Sequence, residues 1–345
     1  MRKAGLTIGL VLILAMLAAA CGNGNSNSNS ESASGGSSPS SSASESPSAS
    51  SAASPSAASA AEEAGATRTI GYLDKQYVVP ADASRIVIVG AVEAMEDSIV
   101  LDVHPVGAIT FSGVFPEMFQ SITDGAESIG EKMEPDLEKV LELKPDVILG
   151  SSKFPEETMK KLEKIATTIP YSHIATNWEA NLELLGELSG KQEQAAKAIE
   201  DYKADLAAAQ AQLGEKLAGK KVVALRIRGG EVYVYPESVF FNPVLYGDLG
   251  LEVPTEVQAA KAQESISIEK LAEMNPDYLF LQFLDSENAD APNALADLQN
   301  NPIIKNINAF KNGKAFVNVV DPLAQGGTAY SKIEFLKAAV AKLSE

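Results

Sequence analysis

Leu137–Leu149 reads LEKVLELKPDVIL, and Ile268–Phe280 reads IEKLAEMNPDYLF. Glu, Lys, Glu, Pro and Asp hold the same offsets in both stretches, and the apolar positions mostly match in kind. Each copy reads as a short amphipathic helix stopped by proline and followed by a buried strand. Two copies of one unit, far apart in the chain, predict two lobes on one plan with a cleft between them. The alternative is chance recurrence of a common helix-to-strand grammar.

Around the first copy, apolar strands alternate with helical stretches. Arg85 to Val89, His104 to Ile109, Asp146 to Gly150 and Thr168 to Tyr171 read as strands. Val92 to Leu101 and Glu156 to Ile165 read as helices. This rhythm favours a mostly parallel sheet covered by helices. The stretch from Glu179 to Leu217 is rich in Ala, Leu, Glu, Lys and Gln and lacks proline, and Gln192 to Leu213 reads as one continuous helix. At the α-helical rise it spans about 33 Å, enough to cross from one lobe to the other. Around the second copy the alternation returns. Lys221 to Arg226, Val232 to Tyr235, Tyr278 to Leu281 and Ala315 to Val319 read as strands. Phe241 to Leu249 reads as a helix ended by Gly250, and Thr328 to Leu343 as a closing helix. The expected fold is α/β, with two Rossmann-like lobes at 68–176 and 219–345 bridged by a single long α-helix within 177–218.

The N-terminus points to export. Arg2 and Lys3 precede an almost uninterrupted apolar run from Leu6 to Ala20, and Leu17-Ala18-Ala19-Ala20-Cys21 follows. The run is short for a membrane span of about 20 residues, and its small residues before a cysteine fit a signal peptide, residues 1–20, cleaved ahead of Cys21. Cys21 is the sole cysteine, so no internal disulfide is possible and a lipid on its thiol is the simplest role. An uncleaved membrane anchor is the alternative. Residues 21–67 are nearly all Ser, Ala, Gly, Asn and Pro after the cysteine and are expected to be a disordered tether. The net charge of −18 argues against a nucleic-acid partner, although a local basic pocket for an anion is compatible with it.

The segments SRIVIVG at 84–90, DVHPVGAI at 102–109, PDLEKVLELKPDVILG at 135–150 and ISIEKLAEMNPDYLFL at 266–281 occur in order behind the signal and around the long helix. Across 69–345 the chain resembles the substrate-binding lipoproteins that serve ATP-driven iron–siderophore and cobalamin importers. The resemblance implies the helical-backbone, class III periplasmic-binding-protein fold, with the ligand in a shallow cleft and little lobe movement. It implies a monomer, lipid-anchored on the outer face of the cell membrane of a Gram-positive bacterium, that delivers a ferric siderophore to the permease subunits of an ABC importer. No cofactor is expected, because the ligand is a preformed Fe(III)–siderophore complex. The resemblance also makes Glu138 and Glu269, one per lobe, anchors for the permease. Their places near helix starts also suit the helix dipole.

Arg226 and Arg228 are the first ligand candidates. They share a strand face, and guanidinium forks suit the oxygens around ferric iron. Tyr233, Tyr235, Trp178 and Phe241 are aromatic candidates that either pack on the chelator or fill the core. Phe111 and Phe115 follow the HPVGAI segment, and Lys153 follows the strand ending at Gly150. The segments ITFSGVFPEMF at 109–119 and LRIRGGEVYVY at 225–235 resemble hydroxamate-type members of the family, so a hydroxamate siderophore is the preferred ligand. Catecholate or citrate siderophores, haem and cobalamin are the alternatives. His104 and His173 lie far apart and carry no zinc-site spacing. No nucleophile elbow, Walker A loop or dinucleotide fingerprint occurs, so no enzymatic activity is expected. A wall-scaffold or adhesive lipoprotein, a free-metal carrier and an exported hydrolase are the other classes in play.

Overall fold

The structure, a computed structural model, describes residues 65–345. The expected signal, Cys21 and nearly all of the tether lie outside the described residues. The first described element is an antiparallel hairpin, β1 (Thr67–Tyr72) and β2 (Lys75–Pro80). Next come β3 (Ile86–Val89), α1 (Val92–Leu101), β4 (Gly107–Thr110), α2 (Gln120–Thr123) and β5 (Glu127–Glu131). The first lobe ends with α3 (Leu137–Glu142), β6 (Val147–Ser151), α4 (Glu156–Leu162) and β7 (Thr167–Tyr171). Its sheet has the order β5-β4-β3-β6-β7 and is parallel throughout. Two helices follow, α5 (Trp178–Ser189) and α6 (Gln192–Leu213).

The second lobe contains β8 (Val222–Arg228), β9 (Glu231–Val234), a π-helical turn at Pro243–Asp248, α7 (Thr255–Ala259) and β10 (Glu264–Ile266). It continues with α8 (Ile268–Met274), β11 (Tyr278–Phe283), α9 (Ala294–Asn300), α10 (Asn308–Lys311), β12 (Ala315–Val317) and α11 (Ala329–Ser344). Its sheet runs β10-β9-β8-β11-β12, parallel from β8 to β12 and antiparallel from β8 to β10. Two α/β lobes joined by long helices match the expected fold.

The repeated sequence builds the same joint twice. Asp136 caps α3 by accepting from the Glu138 and Lys139 amides, and Ser267 caps α8 by accepting from the Lys270 amide. Lys144 (φ 46°) and Asn275 (φ 44°) turn left-handed at equivalent positions, and proline follows each. The repeated aspartate then pins the start of the neighbouring strand. Asp146 Oδ2 accepts from the Ser84 and Arg85 amides at 2.9 and 2.8 Å, and Asp277 Oδ2 accepts from the Lys221 amide at 3.1 Å. Those same basic residues turn back to cap the helices: Arg85 donates to Leu143 O and Lys221 to Met274 O. Helix end, strand start and neighbouring strand are thereby fixed together in both lobes.

The sequence places α1 and α6 with their observed bounds. The strand expected from His104 begins only at Gly107, past Pro105, which has no N–H to give a ladder. The helix expected to reach Ile165 stops at Leu162, and the one expected over Phe241 to Leu249 is the π-helical turn. The hairpin β1–β2 and the strands β5 and β10 escaped sequence reading because they are short or half-exposed and lack a continuous apolar run.

The bridge packs tightly. A Cβ on Gly186 of α5 would lie 2.9 Å from Ala195 Cβ of α6, so only glycine permits this approach. Lys191, between the two helices, donates to Leu101 O and caps the end of α1. Asp248 gathers Tyr202 of α6 and Lys332 of α11 at 2.5 and 2.6 Å.

A second tie joins α1 to the chain entering α11. Glu96 accepts from the Gln325 amide at 2.7 Å and from the Thr328 and Ser331 hydroxyls. Asp97 accepts from the Ala329 amide at 2.9 Å and from the Tyr171 hydroxyl at 2.7 Å. Both carboxyls are fully buried, and Glu93 lies one turn away. Burial pushes Glu96 up to about 7 and Asp97 up to about 8, against the hydrogen bonds they accept. The folded protein therefore holds protons that the unfolded chain releases at about pH 4. Stability from these groups is complete below that pH and is lost as pH rises through about 7 to 8. Urea unfolding at pH 5.5 and 8.5 is expected to show the lower midpoint at pH 8.5, with a slope of up to about 1.4 kcal/mol per pH unit for each group. Replacing both (Glu96→Gln, Asp97→Asn) should flatten that profile. A wild-type midpoint that rises with pH would refute the assignment.

Candidate functional site

Parallel strands direct ligand-binding side chains to their carboxyl ends, where the chain leaves each strand for a loop. The first lobe obeys this rule toward one cavity of about 310 Å³, and the second adds residues from its antiparallel edge as well. From the first lobe, Glu93 follows β3, Lys132 follows β5, Lys153 follows β6 and His173 follows β7. From the second, Arg226 and Arg228 end β8, Tyr235 and Phe240 follow β9, and Gln263 precedes β10, while Gln325 follows β12.

The arginines make the most polar contacts in the site. Arg226 is 5% exposed. Its Nε and Nη2 both lie 2.8 Å from Glu287 Oε2, and Arg228 Nη2 lies 2.5 Å from Glu287 Oε1. Burial pushes the Glu287 carboxyl up, but the two guanidinium groups more than offset this and hold it below the usual range. Gln263 Oε1 accepts from Arg228 Nη1 at 3.0 Å and from the Tyr235 hydroxyl at 2.9 Å. The Tyr235 ring stacks on Phe240 at 4.7 Å. Phe240 itself is left-handed (φ 62°), and a Cβ on Gly326 would lie 2.4 Å from its carbonyl carbon. This close approach of two loops forms one wall of the cavity.

The lysine side has fewer polar contacts. Lys153 Nζ lies 2.9 Å from Glu93 Oε1, whereas Glu93 Oε2 is buried with no partner among the described residues. Lys132 reaches across the cleft to Gln325 Oε1 at 3.5 Å. Burial lowers the Lys132 pKa, Glu93 opposes that, and Lys153, Arg226 and Arg228 lower it further. His173, bonded to Ser152 Oγ at 2.8 Å, is also pushed down, by burial and by Lys153, which favours the neutral ring. The cavity lining thus sets four cations against one carboxylate, Glu93, with Glu287 bonded to the two arginines, in a strongly acidic protein.

Of the residues singled out in the sequence, Arg226, Arg228, Tyr235 and Lys153 meet in this cavity. Tyr233 stands opposite Arg226 in the β8–β9 pairing, with its hydroxyl on Glu231. Trp178 and Phe241, read in the sequence as packing either on the ligand or in the core, are buried. Trp178 packs edge-on to Tyr202 at 5.2 Å with Lys332 over its ring, and Phe241 stacks on Phe335 of α11 at 4.3 Å. Phe111 stacks on Phe119, and Phe115 lines a separate open depression on the first lobe with Thr110 and Gln120. Glu138 and Glu269 are both exposed on the first turns of α3 and α8. Sequence reading missed Glu93, Lys132, Gln263, Glu287 and Gln325. Lys132 follows a strand whose own signal is weak, and the others are single polar residues without a motif. Among the described residues there is no group of three or more His, Cys, Asp or Glu placed to hold a metal ion.

The family description "Periplasmic binding protein" matches residues 120–318. The chain is 56% identical over 282 residues to the iron-uptake system-binding protein of Bacillus subtilis, covering 82% of this chain and 89% of that one. It is 28% identical over 247 residues to the probable siderophore-binding lipoprotein YfiY of the same organism, covering 69% and 75%. The crystal structure of FeuA from Bacillus subtilis, described as a triscatecholate siderophore binding protein and complexed with ferri-bacillibactin, superposes with a TM-score of 0.76 at 57% identity, covering 80% of this chain and 98% of that one. On the matched span and on this identity, the chain belongs to the periplasmic binding protein family.

Proposed function

We propose that this protein is the receptor for a ferric tris-catecholate siderophore. The coarser function is that of its family relatives: an extracellular, non-enzymatic ferric-siderophore-binding protein of an ABC importer. The observation that carries the finer reading is the charge of the cleft, with Lys132, Lys153, Arg226 and Arg228 facing one cavity. Iron(III) held by three catecholate dianions is a trianion, whereas iron(III) held by three hydroxamate monoanions is neutral. A cationic cleft gains affinity and association rate from a trianionic ligand and little of either from a neutral one. The likeness to FeuA supports the same choice. The catecholate therefore replaces the hydroxamate expected from the 109–119 and 225–235 segments.

Under this reading Arg228 and Lys153, the more exposed cations, contact ligand oxygens directly. Tyr233 and Tyr235 pack beside them, and Phe111 and Phe115 lie outside the contact set. Cys21 carries the lipid that holds the receptor at the membrane, and residues 21–67 tether the lobes to it. Glu138 and Glu269 dock the loaded receptor on its permease. Their helices are built by the repeated motif, so the two anchors are presented alike on the two lobes.

Calorimetric titration is expected to show saturable binding of the ferric complex of a hexadentate tris-catecholate, weakening as salt rises, and far weaker binding of a ferric tris-hydroxamate. Tighter binding of the hydroxamate would overturn the choice of ligand class. Lys153→Ala and Arg228→Ala should each weaken catecholate binding about tenfold or more, the size of one lost charge-assisted hydrogen bond. Charge reversal of both docking residues (Glu138→Lys, Glu269→Lys) should abolish siderophore-dependent uptake in cells while leaving ligand affinity unchanged. A parallel loss of affinity would remove them from the permease interface.

A further inference from the structure

A carboxylate in a site for anions needs an explanation. Glu287 places a negative charge against the two arginines of the cleft, and simple Coulomb repulsion makes that unfavourable for a trianionic ligand. We infer that Glu287 is the positioning residue of this site: it strengthens binding of the trianion by fixing Arg226 and Arg228 in one geometry. The inference rests on the ligand class proposed above.

The local construction supports this role. Glu287 lies in the 3-10 turn Asp285–Asn288 that follows β11. Its neighbour Asn288 is fully buried and staples this turn to the β8–β9 hairpin. Asn288 Nδ2 donates to Ile227 O at 3.0 Å and to Leu284 O at 2.9 Å, and its Oδ1 accepts from the Gly230 amide at 3.1 Å. The Gly229 amide donates to Glu287 O at 2.9 Å. Gly229 and Gly230 are both left-handed, and a Cβ on Gly230 would lie 2.8 Å from Ala291 Cβ, so the hairpin turn and the chain after β11 form one tight unit. The Glu287 carboxylate therefore has a fixed position, with one oxygen for each arginine.

Arg226 needs that partner. Buried without it, the guanidinium would be an uncompensated charge and would have to leave its place on β8. Arg228 is more exposed, with 40% of its side chain accessible, and is steered by Glu287 on one side and Gln263 on the other. Long flexible cations lose rotamer freedom when they grip a ligand, and a pre-formed fork has already lost it. Glu93, the other carboxylate of the cleft, offers the contrast. It holds Lys153 through one oxygen and leaves the second without a partner among the described residues, so the lysine side is not locked in the same way.

The two readings of Glu287 differ in sign. Glu287→Gln removes one negative charge beside the arginines, so charge alone predicts tighter binding of the trianion. Positioning predicts looser binding, because the amide offers only one acceptor to two arginines. The test is calorimetric titration of the ferric complex of a hexadentate tris-catecholate into wild type, Glu287→Gln and Glu287→Asp, with thermal melts as folding controls. The expected result is at least about tenfold weaker binding by Glu287→Gln. Glu287→Asp, which keeps the charge but shortens the reach, should fall between it and wild type. Binding by folded Glu287→Gln that equals or exceeds that of wild type would overturn the inference. If that variant does not fold, unchanged binding by Glu287→Asp overturns it instead.

A ligand-free readout separates this inference from the choice of ligand. In nitrogen–proton NMR spectra the Arg226 Nε–H signal should be protected from exchange in wild type and lose that protection in Glu287→Gln. Absence of any tris-catecholate binding by wild type would refute the receptor reading, and the NMR comparison would still decide the positioning role. An unchanged Arg226 signal would end it.

Discussion

Two adjacent carboxyls on α1 carry the arrangement of the lobes. Glu96 and Asp97 reach out of the first lobe and take up the amides and hydroxyls at the entrance to α11. Helix starts expose backbone donors that need acceptors, and here the acceptors come from far away in the chain. Burial raises the cost of leaving either side unpaired, so the contact has little freedom to slide. The segment entering α11 that it fixes also supplies Gln325 and Gly327 to the cleft. The position of the cavity wall thus depends on a contact that touches no ligand.

The two lobes share a joint and differ in their sites. The repeated Pro-Asp segment makes the same helix end, the same left-handed residue and the same strand anchor in each half. The loops beyond the strands are unrelated. The first lobe offers lysines on separate loops, one of them paired to a half-satisfied glutamate. The second offers two arginines on one strand, braced by a single carboxylate. A duplicated frame with divergent loops is the usual way an α/β architecture acquires a binding site without altering its core.

Much of the frame was legible because its signals are local. Val92–Leu101 and Gln192–Leu213 announce themselves by periodicity and by the residues that bound them. The hairpin Thr67–Tyr72 and Lys75–Pro80 and the strand Glu127–Glu131 were not legible, because half-exposed strands of mixed polarity look like loops. The site divides in the same way. Arg226 and Arg228 stand out as a pair on a buried strand, but nothing near Glu287 or Gln263 in sequence marks them as their partners. Trp178 was ambiguous for a physical reason: a lone tryptophan at a helix start suits a cleft or a helix seam equally well, and in the structure it packs on Tyr202 at the α5–α6 seam.

The cations of the cleft are split between the lobes, with Lys132 and Lys153 on one side and Arg226 and Arg228 on the other. The repulsion is felt across the gap, since both arginines lower the proton affinity of Lys132. The bridge and the α1–α11 tie therefore hold together two walls that carry like charges. Under the reading proposed above, an anionic guest works as mortar. It replaces repulsion between the walls with attraction from each wall to itself, so the charges proposed to select the guest would also change the load on the bridge.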